Sequence, residues 1–116
     1  KTIFKSDADE VNIPSFEGEM GILKNHIPLI TFLRPGFIKI KNEEKKNFYV
    51  EEGIVEFSNN NLLILTSTAK DLENFDKENL NKLLDEAIKK LQDDNSNDKE
   101  KYIMSYKIET LRQINQ

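Results

Sequence analysis

Cysteine does not occur among the 116 residues, so no disulfide can staple the fold and no thiolate can act as nucleophile or zinc ligand. Histidine occurs once, as His26. A metal site needs several clustered nitrogen or sulfur donors and a triad needs an oriented nucleophile, so a single imidazole after Asn25 reads as a loop group bonding nearby backbone. The four glycines, Gly18, Gly21, Gly36 and Gly53, form neither a phosphate loop ending in Lys-Ser/Thr nor a dinucleotide fingerprint, which excludes nucleotide binding by either route. No serine stands in a Gly-x-Ser-x-Gly setting. The longest apolar run, Leu62 to Leu65, is far below the ~20 residues that span a bilayer, and Lys1 opens no signal-peptide pattern. A soluble chain with no metal, no cofactor and no direct membrane insertion is expected. The net charge of −4 has the wrong sign for a protein whose main partner is a phosphate backbone, so no nucleic acid is expected either.

Hydrophobic residues make up 37% and charged residues 33% of the chain, enough for one small core beneath a heavily charged surface. From Val11 to Thr68 the apolar residues come in strand-sized pieces: Val11 and Ile13, Ile22-Leu23, Leu29 to Leu33, Phe37 to Ile40, Phe48 to Val50, Ile54 to Phe57, and Leu62 to Leu65. Turn signals separate them at Pro14-Ser15, Glu17-Gly18, Lys24-Asn25, Pro35-Gly36, Asn42 to Asn47, Gly53 and Asn59 to Asn61. Short strands at this spacing predict an antiparallel sandwich or barrel. Ile38 and Ile40 alternate with Lys39 and Lys41, and Val55 and Phe57 flank Glu56, as in a sheet with one face in water. Pro28 and Pro35 cannot donate to a ladder and belong at strand starts, edges or turns.

After Ala69 the period changes. Leu80, Leu83, Leu84, Ala87, Ile88 and Leu91 recur at three- and four-residue steps, predicting an amphipathic helix with Asp76 as N-cap and Lys89 and Lys90 at the end where the dipole favours cations. Asp93 to Asn97 predicts a turn, and Asp98 is expected to cap a second helix whose stripe is Met104, Ile108 and Leu111, flanked by Tyr102, Ile103 and Tyr106. The expected organisation is a mixed β-then-α chain: an N-terminal antiparallel β-sandwich over residues 1–72 and a C-terminal α-helical hairpin over 73–116. Two short helices with one stripe each form no core alone, so the hairpin must lean on the sheet, on a partner, or on each in turn.

Other charged clusters carry little chemistry. Asp7, Asp9 and Glu10 lack the further oxygen ligands and central glycine of an EF-hand loop. Glu51-Glu52 could suggest an acid/base pair, but adjacent strand residues point to opposite faces. Lys39 to Lys46 reads as a hairpin tip, since Glu43 and Glu44 interrupt it and no aromatic row interleaves. The helix stripes lack the cationic excess of membrane-surface helices.

One segment says more than its chemistry. Gly18-Glu19-Met20-Gly21-Ile22-Leu23, followed by His26, Pro28 and Leu29, closely resembles the signature of the epsilon subunit of F-type ATP synthases, the equivalent of the mitochondrial delta subunit. Leu33-Arg34-Pro35-Gly36-Phe37-Ile38, Gly53 to Phe57 and Leu65 to Ala69 are similar to later strands of that family, in order and spacing. The resemblance implies a sandwich of about ten strands followed by two helices. It also implies a non-catalytic central-stalk subunit that couples the proton-driven c-ring through gamma to ATP synthesis, with a hairpin that restrains ATP hydrolysis on the catalytic alpha/beta hexamer.

The same resemblance nominates residues. Gly18, Glu19, Met20, Gly21 and His26 fall in the region that meets the c-ring. Lys99, Lys101, Lys107 and Arg112 are the hairpin cations available to an acidic surface on the catalytic subunits. Some bacterial members bind ATP through Ile/Leu-Asp-x-x-Arg-Ala; here the segment is Phe75-Asp76-Lys77-Glu78-Asn79-Leu80. Asp76 is kept, but Asn79 replaces the guanidinium fork, so weak or no ATP binding is expected. Two further departures stand out: the family's first strand precedes the point aligned with Lys1, so that the chain is expected to be either a fragment or one with an exposed sheet edge, and Glu51-Glu52 takes the place of small residues or glycine. The implied location is peripheral to an energy-transducing membrane, with the cytoplasmic face of a bacterial inner membrane placed ahead of the mitochondrial matrix face. Two rival readings are a free-standing β-sandwich interaction module with a helical dimerisation hairpin, and a small hydrolase using Glu51 or Glu52 with His26.

Overall fold

The computed structural model describes residues 10–23, 25–41 and 46–114. Eight antiparallel strands run β1 (Glu10–Ser15), β2 (Gly18–Leu23), β3 (Leu29–Leu33), β4 (Gly36–Lys41), β5 (Asn47–Val50), β6 (Gly53–Ser58), β7 (Asn61–Leu65) and β8 (Lys70–Asp71). A single 3₁₀ turn, Leu72–Asn74, leads to helices α1 (Lys77–Gln92) and α2 (Asp98–Ile114). Each apolar run of the sequence forms the strand it predicts, and the change of period marks the change from sheet to helix. Asp7 and Asp9 fall outside the described residues, as do residues 42–45 of the predicted hairpin tip. Glu10 is held by Lys41 at 2.9 Å and by Asn12, bonds that lower its carboxyl pKa.

The sheet curls on itself in the order β7-β6-β3-β1-β4-β5-β8, with β2 beside β1. The fold point is β1. Its first residues, Glu10 to Asn12, pair with β4, and its last, Ser15, pairs with β3. Pro14, a turn signal in the sequence, lies inside this strand. Its carbonyl accepts from the Arg34 amide at 2.9 Å, and its missing N–H faces that same side, where β1 has left β4 and not yet reached β3. A proline is tolerated there because no ladder bond is lost.

Between the curled halves Val11, Ile13, Ile22, Leu33, Ile38, Ile40, Val50, Val55, Phe57 and Ile64 form the core. The outer face of β4 and β5 does not stay in water. Phe37 and Tyr49 pair across those strands and point outward, where Leu80 and Leu111 from the two helices cover them. Phe75, Leu83, Leu84 and Ile114 complete this second cluster, and burying each large apolar side chain contributes about 1.5–3 kcal/mol. The hairpin therefore leans on the sheet in this state.

Asp76 caps α1 as expected, its carboxylate accepting from the Glu78 amide at 3.1 Å. The cap of α2 lies one residue earlier than the sequence suggested. Asn97 accepts from the Glu100 amide at 2.8 Å and its carbonyl takes the first intrahelical bond, leaving Asp98 as the first helical residue. Asn and Asp cap equally well, so a local rule cannot choose between neighbours.

Candidate functional site

The chain presents three surfaces, each set by strand alternation. The first is the end of the sandwich formed by β2 and the turn after it. Gly18 opens β2 at φ +119°, a conformation that L side chains rarely adopt. Alternation sends Glu19, Gly21 and Leu23 outward and Met20 and Ile22 inward; Glu19 and Leu23 are exposed, whereas Met20 packs against the core. Of the nominated residues, then, Glu19 and Gly21 share a surface and Met20 supports it from behind. His26 is half-buried, with its ring edge-on to Phe57 at 6.0 Å and its Nδ1 2.7 Å from the Ile27 carbonyl.

The second surface is the outer face of β3, β6 and β7. Ile30 and Phe32 are 69% and 58% exposed, and Ile54, Leu63 and Leu65 also stand open. Register places Phe32 opposite Ile54 and Ile54 opposite Leu65, with Glu56 opposite both Ile30 and Leu63. The result is a contiguous apolar patch with one carboxylate set in it. A groove of about 530 Å³ lies at one end, between Phe16, Phe32, Ile54 and Lys99. The sequence reading missed this face, although a signal was available: the outward positions of β3 and β7 are apolar where a solvated face would carry polar residues.

The third surface is where α2 meets the sandwich. Lys107 Nζ lies 3.0 Å from Glu51 Oε1, with side chains only 13% and 27% exposed. Arg34, 8% exposed, lays its guanidinium 3.9 Å over the Tyr106 ring and donates to the Pro35 carbonyl. Tyr102 packs against Tyr106 and stacks on Phe16. Tyr49 lies beneath, fully buried; its hydroxyl makes no bond of ordinary geometry, and burial, reinforced by the nearby Glu51 charge, raises its pKa. Of the four nominated hairpin cations, Lys107 is thus engaged within the chain, Lys101 is half-buried, and Lys99 and Arg112 are exposed.

Glu51 and Glu52 are not in a strand, contrary to the expectation from the sequence. They form the turn between β5 and β6, where Gly53 at φ +157° lets the chain reverse. Glu51 takes Lys107, while Glu52 accepts from the Ser67 amide and hydroxyl at 3.2 and 2.7 Å. With His26 committed to Ile27 and Phe57, these groups assemble no acid/base site. Among the described residues no three His, Asp or Glu side chains could hold a metal ion, and no helix is long and apolar enough to cross a membrane. Asp76, the surviving member of the ATP motif, is bonded as a helix cap, and Asn79 is half-buried beside it.

The described residues form a curled β-sandwich with a helical hairpin docked on one outer face and the outer face of β3, β6 and β7 left open. Residues 1–71 match the family described as ATP synthase, delta/epsilon chain, beta-sandwich domain. An ATP synthase epsilon chain of Pelagibacter ubique is 46% identical over 112 residues, covering 96% of this chain and 86% of the relative. One from Hydrogenobaculum is 35% identical over 78% of this chain and 67% of its own length. A chain in the Euglena gracilis mitochondrial ATP synthase structure containing OSCP, F1 and the c-ring superposes with a TM-score of 0.76 at 28% identity, over 98% of this chain and 74% of that one. The chain belongs to the ATP synthase delta/epsilon family, as an epsilon-type, non-catalytic component of the central stalk. The family resemblance carried by Gly18 to Leu29 is borne out, as is the sandwich-plus-hairpin fold.

Proposed function

We propose that this chain couples rotation of the c-ring through gamma to ATP synthesis, and that its hairpin restrains ATP hydrolysis when it leaves the sandwich. The observation that carries the reading is the open apolar face of β3, β6 and β7. Five large apolar side chains there are exposed on a rigid sheet, an arrangement that marks a protein interface. We assign this face to gamma and the Glu19, Gly21 and His26 end to the c-ring, with Met20 supporting that end and Gly18 setting its turn. The sandwich, residues 1–72, is the coupling part, and the hairpin, 73–116, the regulatory part.

In the extended state Lys99, Lys101, Lys107 and Arg112 face the acidic surface of the catalytic alpha/beta hexamer. Lys107 must release Glu51 to do so, which makes docking and inhibition mutually exclusive. The chain works at the surface of an energy-transducing membrane, on the cytoplasmic face in a bacterium, and binds ATP weakly or not at all.

The test is hydrolysis by the cognate hexamer with gamma, with added wild-type chain, Phe32→Glu chain, or chain truncated after Asn74. The expected result is that wild type binds and slows hydrolysis, Phe32→Glu fails to bind gamma while keeping its far-UV spectrum, and the truncated chain binds without slowing. Wild-type chain that self-associates and ignores gamma would overturn the reading in favour of a free-standing module.

A further inference from the structure

We propose that Thr66 and Thr68 are positioning residues for the hairpin: their hydroxyls hold the turn that presents Glu51 to Lys107, and so set how firmly α2 stays docked. The consequence for hydrolysis rests on the reading that the hairpin restrains it only after leaving the sandwich.

Two connections run side by side where the curled sheet closes. β7 and β8 are the two ends of the sheet, so the segment between them, Thr66 to Ala69, crosses from one end to the other. The Glu51-Glu52 turn crosses in the same way, from β5 near one end to β6 near the other. Neither connection is strand, and hydroxyl groups join them instead.

The Glu51 amide donates to Thr68 Oγ1 at 3.0 Å, and the Thr66 hydroxyl donates to the Glu52 carbonyl. The two hydroxyl oxygens lie 3.1 Å apart. A hydroxyl has one proton and a carbonyl only accepts, so the Thr66 proton is committed to Glu52 and Thr68 is the donor between the two threonines. The bonds therefore run one way, from the Glu51 amide through Thr68 and Thr66 to the Glu52 carbonyl, in a loop that begins and ends on the turn. Hydrogen bonds in such a chain polarise and strengthen one another. Thr66 is 5% exposed, which keeps water from competing for its bonds.

Ser67 sorts the two carboxylates. Its amide and its hydroxyl both donate to Glu52 Oε1. Glu51 is left as the carboxylate turned to α2, where Lys107 Nζ donates to it at 3.0 Å. An ion pair between a turn and a helix holds best when the turn is already fixed, because the ordering entropy is lost in folding the sandwich and not again on docking. Both threonines thus act on the hairpin through Glu51.

The test is hydrogen exchange along α2 in the full chain. Thr68→Val removes the hydroxyl at nearly constant shape and leaves the Glu51 amide without its acceptor. It is expected to speed α2 exchange about three- to ten-fold. Thr68→Ser keeps the hydroxyl and should exchange as wild type does. In the Lys107→Met chain, Thr68→Val is expected to add little, since the carboxylate it positions has no partner there. If Thr68→Val speeds α2 equally with and without Lys107, or does not speed it at all, the positioning role is wrong. Thr66→Val breaks the same chain of bonds one link further on and is held to the same criteria. Hydrolysis by the cognate hexamer with gamma gives the functional readout: the Thr68→Val chain should restrain the rate more than wild type at equal concentration. Faster α2 exchange that depends on Lys107 but brings no stronger restraint would support the positioning role and overturn the reading of the hairpin as regulator.

Discussion

Lys107 on α2 reaches across 56 residues of sequence to place its ammonium 3.0 Å from the Glu51 carboxylate in the turn between β5 and β6. The pair is mostly shielded from water, at 13% and 27% exposure, so it is worth more than a surface ion pair and less than a fully buried one. Either Lys107→Met or Glu51→Gln is expected to weaken hairpin docking by about 1–2 kcal/mol. Hydrogen exchange along α2 would report this directly, and the exchanged pair Glu51→Lys with Lys107→Glu should restore protection. Protection unchanged in both single variants would show that the apolar cluster alone holds the hairpin.

Arg34 supports the same junction by a different force. Its guanidinium carbon lies 3.9 Å from the centre of the Tyr106 ring, and a lysine ammonium cannot reproduce both that contact and the planar fork of donors. Arg34→Lys is expected to cost about 1–2 kcal/mol, seen as a lower urea midpoint with an unchanged slope. An unchanged midpoint would assign no stability to this contact.

Glycine substitutions should separate conformation from space. At Gly53 an added Cβ would sit 2.6 Å from the Leu65 carbonyl oxygen, on top of an unfavourable φ of +157°. At Gly18 nothing lies within 4 Å, and only the φ of +119° opposes a side chain. Gly53→Ala is therefore expected to destabilise by about 3 kcal/mol and Gly18→Ala by about 1 kcal/mol, measured by thermal melting. Equal losses at the two positions would rule out the steric explanation.

Tyr49 is expected to make the docked state less stable at alkaline pH. Its hydroxyl is fully buried near Glu51, and its pKa in the fold is raised from the ordinary 10.0. Above pH 10 the unfolded chain releases this proton while the folded chain keeps it, so stability is full below that pH and falls as pH rises. The tyrosine contributes up to about 1.4 kcal/mol of loss per pH unit. Tyr49→Phe should flatten the fall relative to wild type in urea titrations between pH 10 and 12; parallel curves would place the hydroxyl in contact with water.

The apolar runs from Val11 to Leu65 and the stripe from Leu80 to Leu91 specify strands and helix because alternation and three-to-four spacing are properties of neighbouring residues. Gly18 to Leu29 was enough to point to the family. The sequence was misleading where a local signal competed with topology: Pro14 read as a turn until β1 proved to cross from one half of the sheet to the other, and Glu51-Glu52 read as strand residues although the chain reverses there at Gly53.

What the sequence determined by itself is therefore the first seven strands and the two helices, with the core-facing side of each. Tertiary structure alone decided which outer face the hairpin covers, over Phe37 and Tyr49, and which it leaves bare, over Ile30, Phe32 and Leu65. Both faces carry apolar outward residues, so periodicity cannot rank them. The choice is made by pairs such as Glu51 with Lys107 and Arg34 with Tyr106, whose partners meet only after the chain has closed.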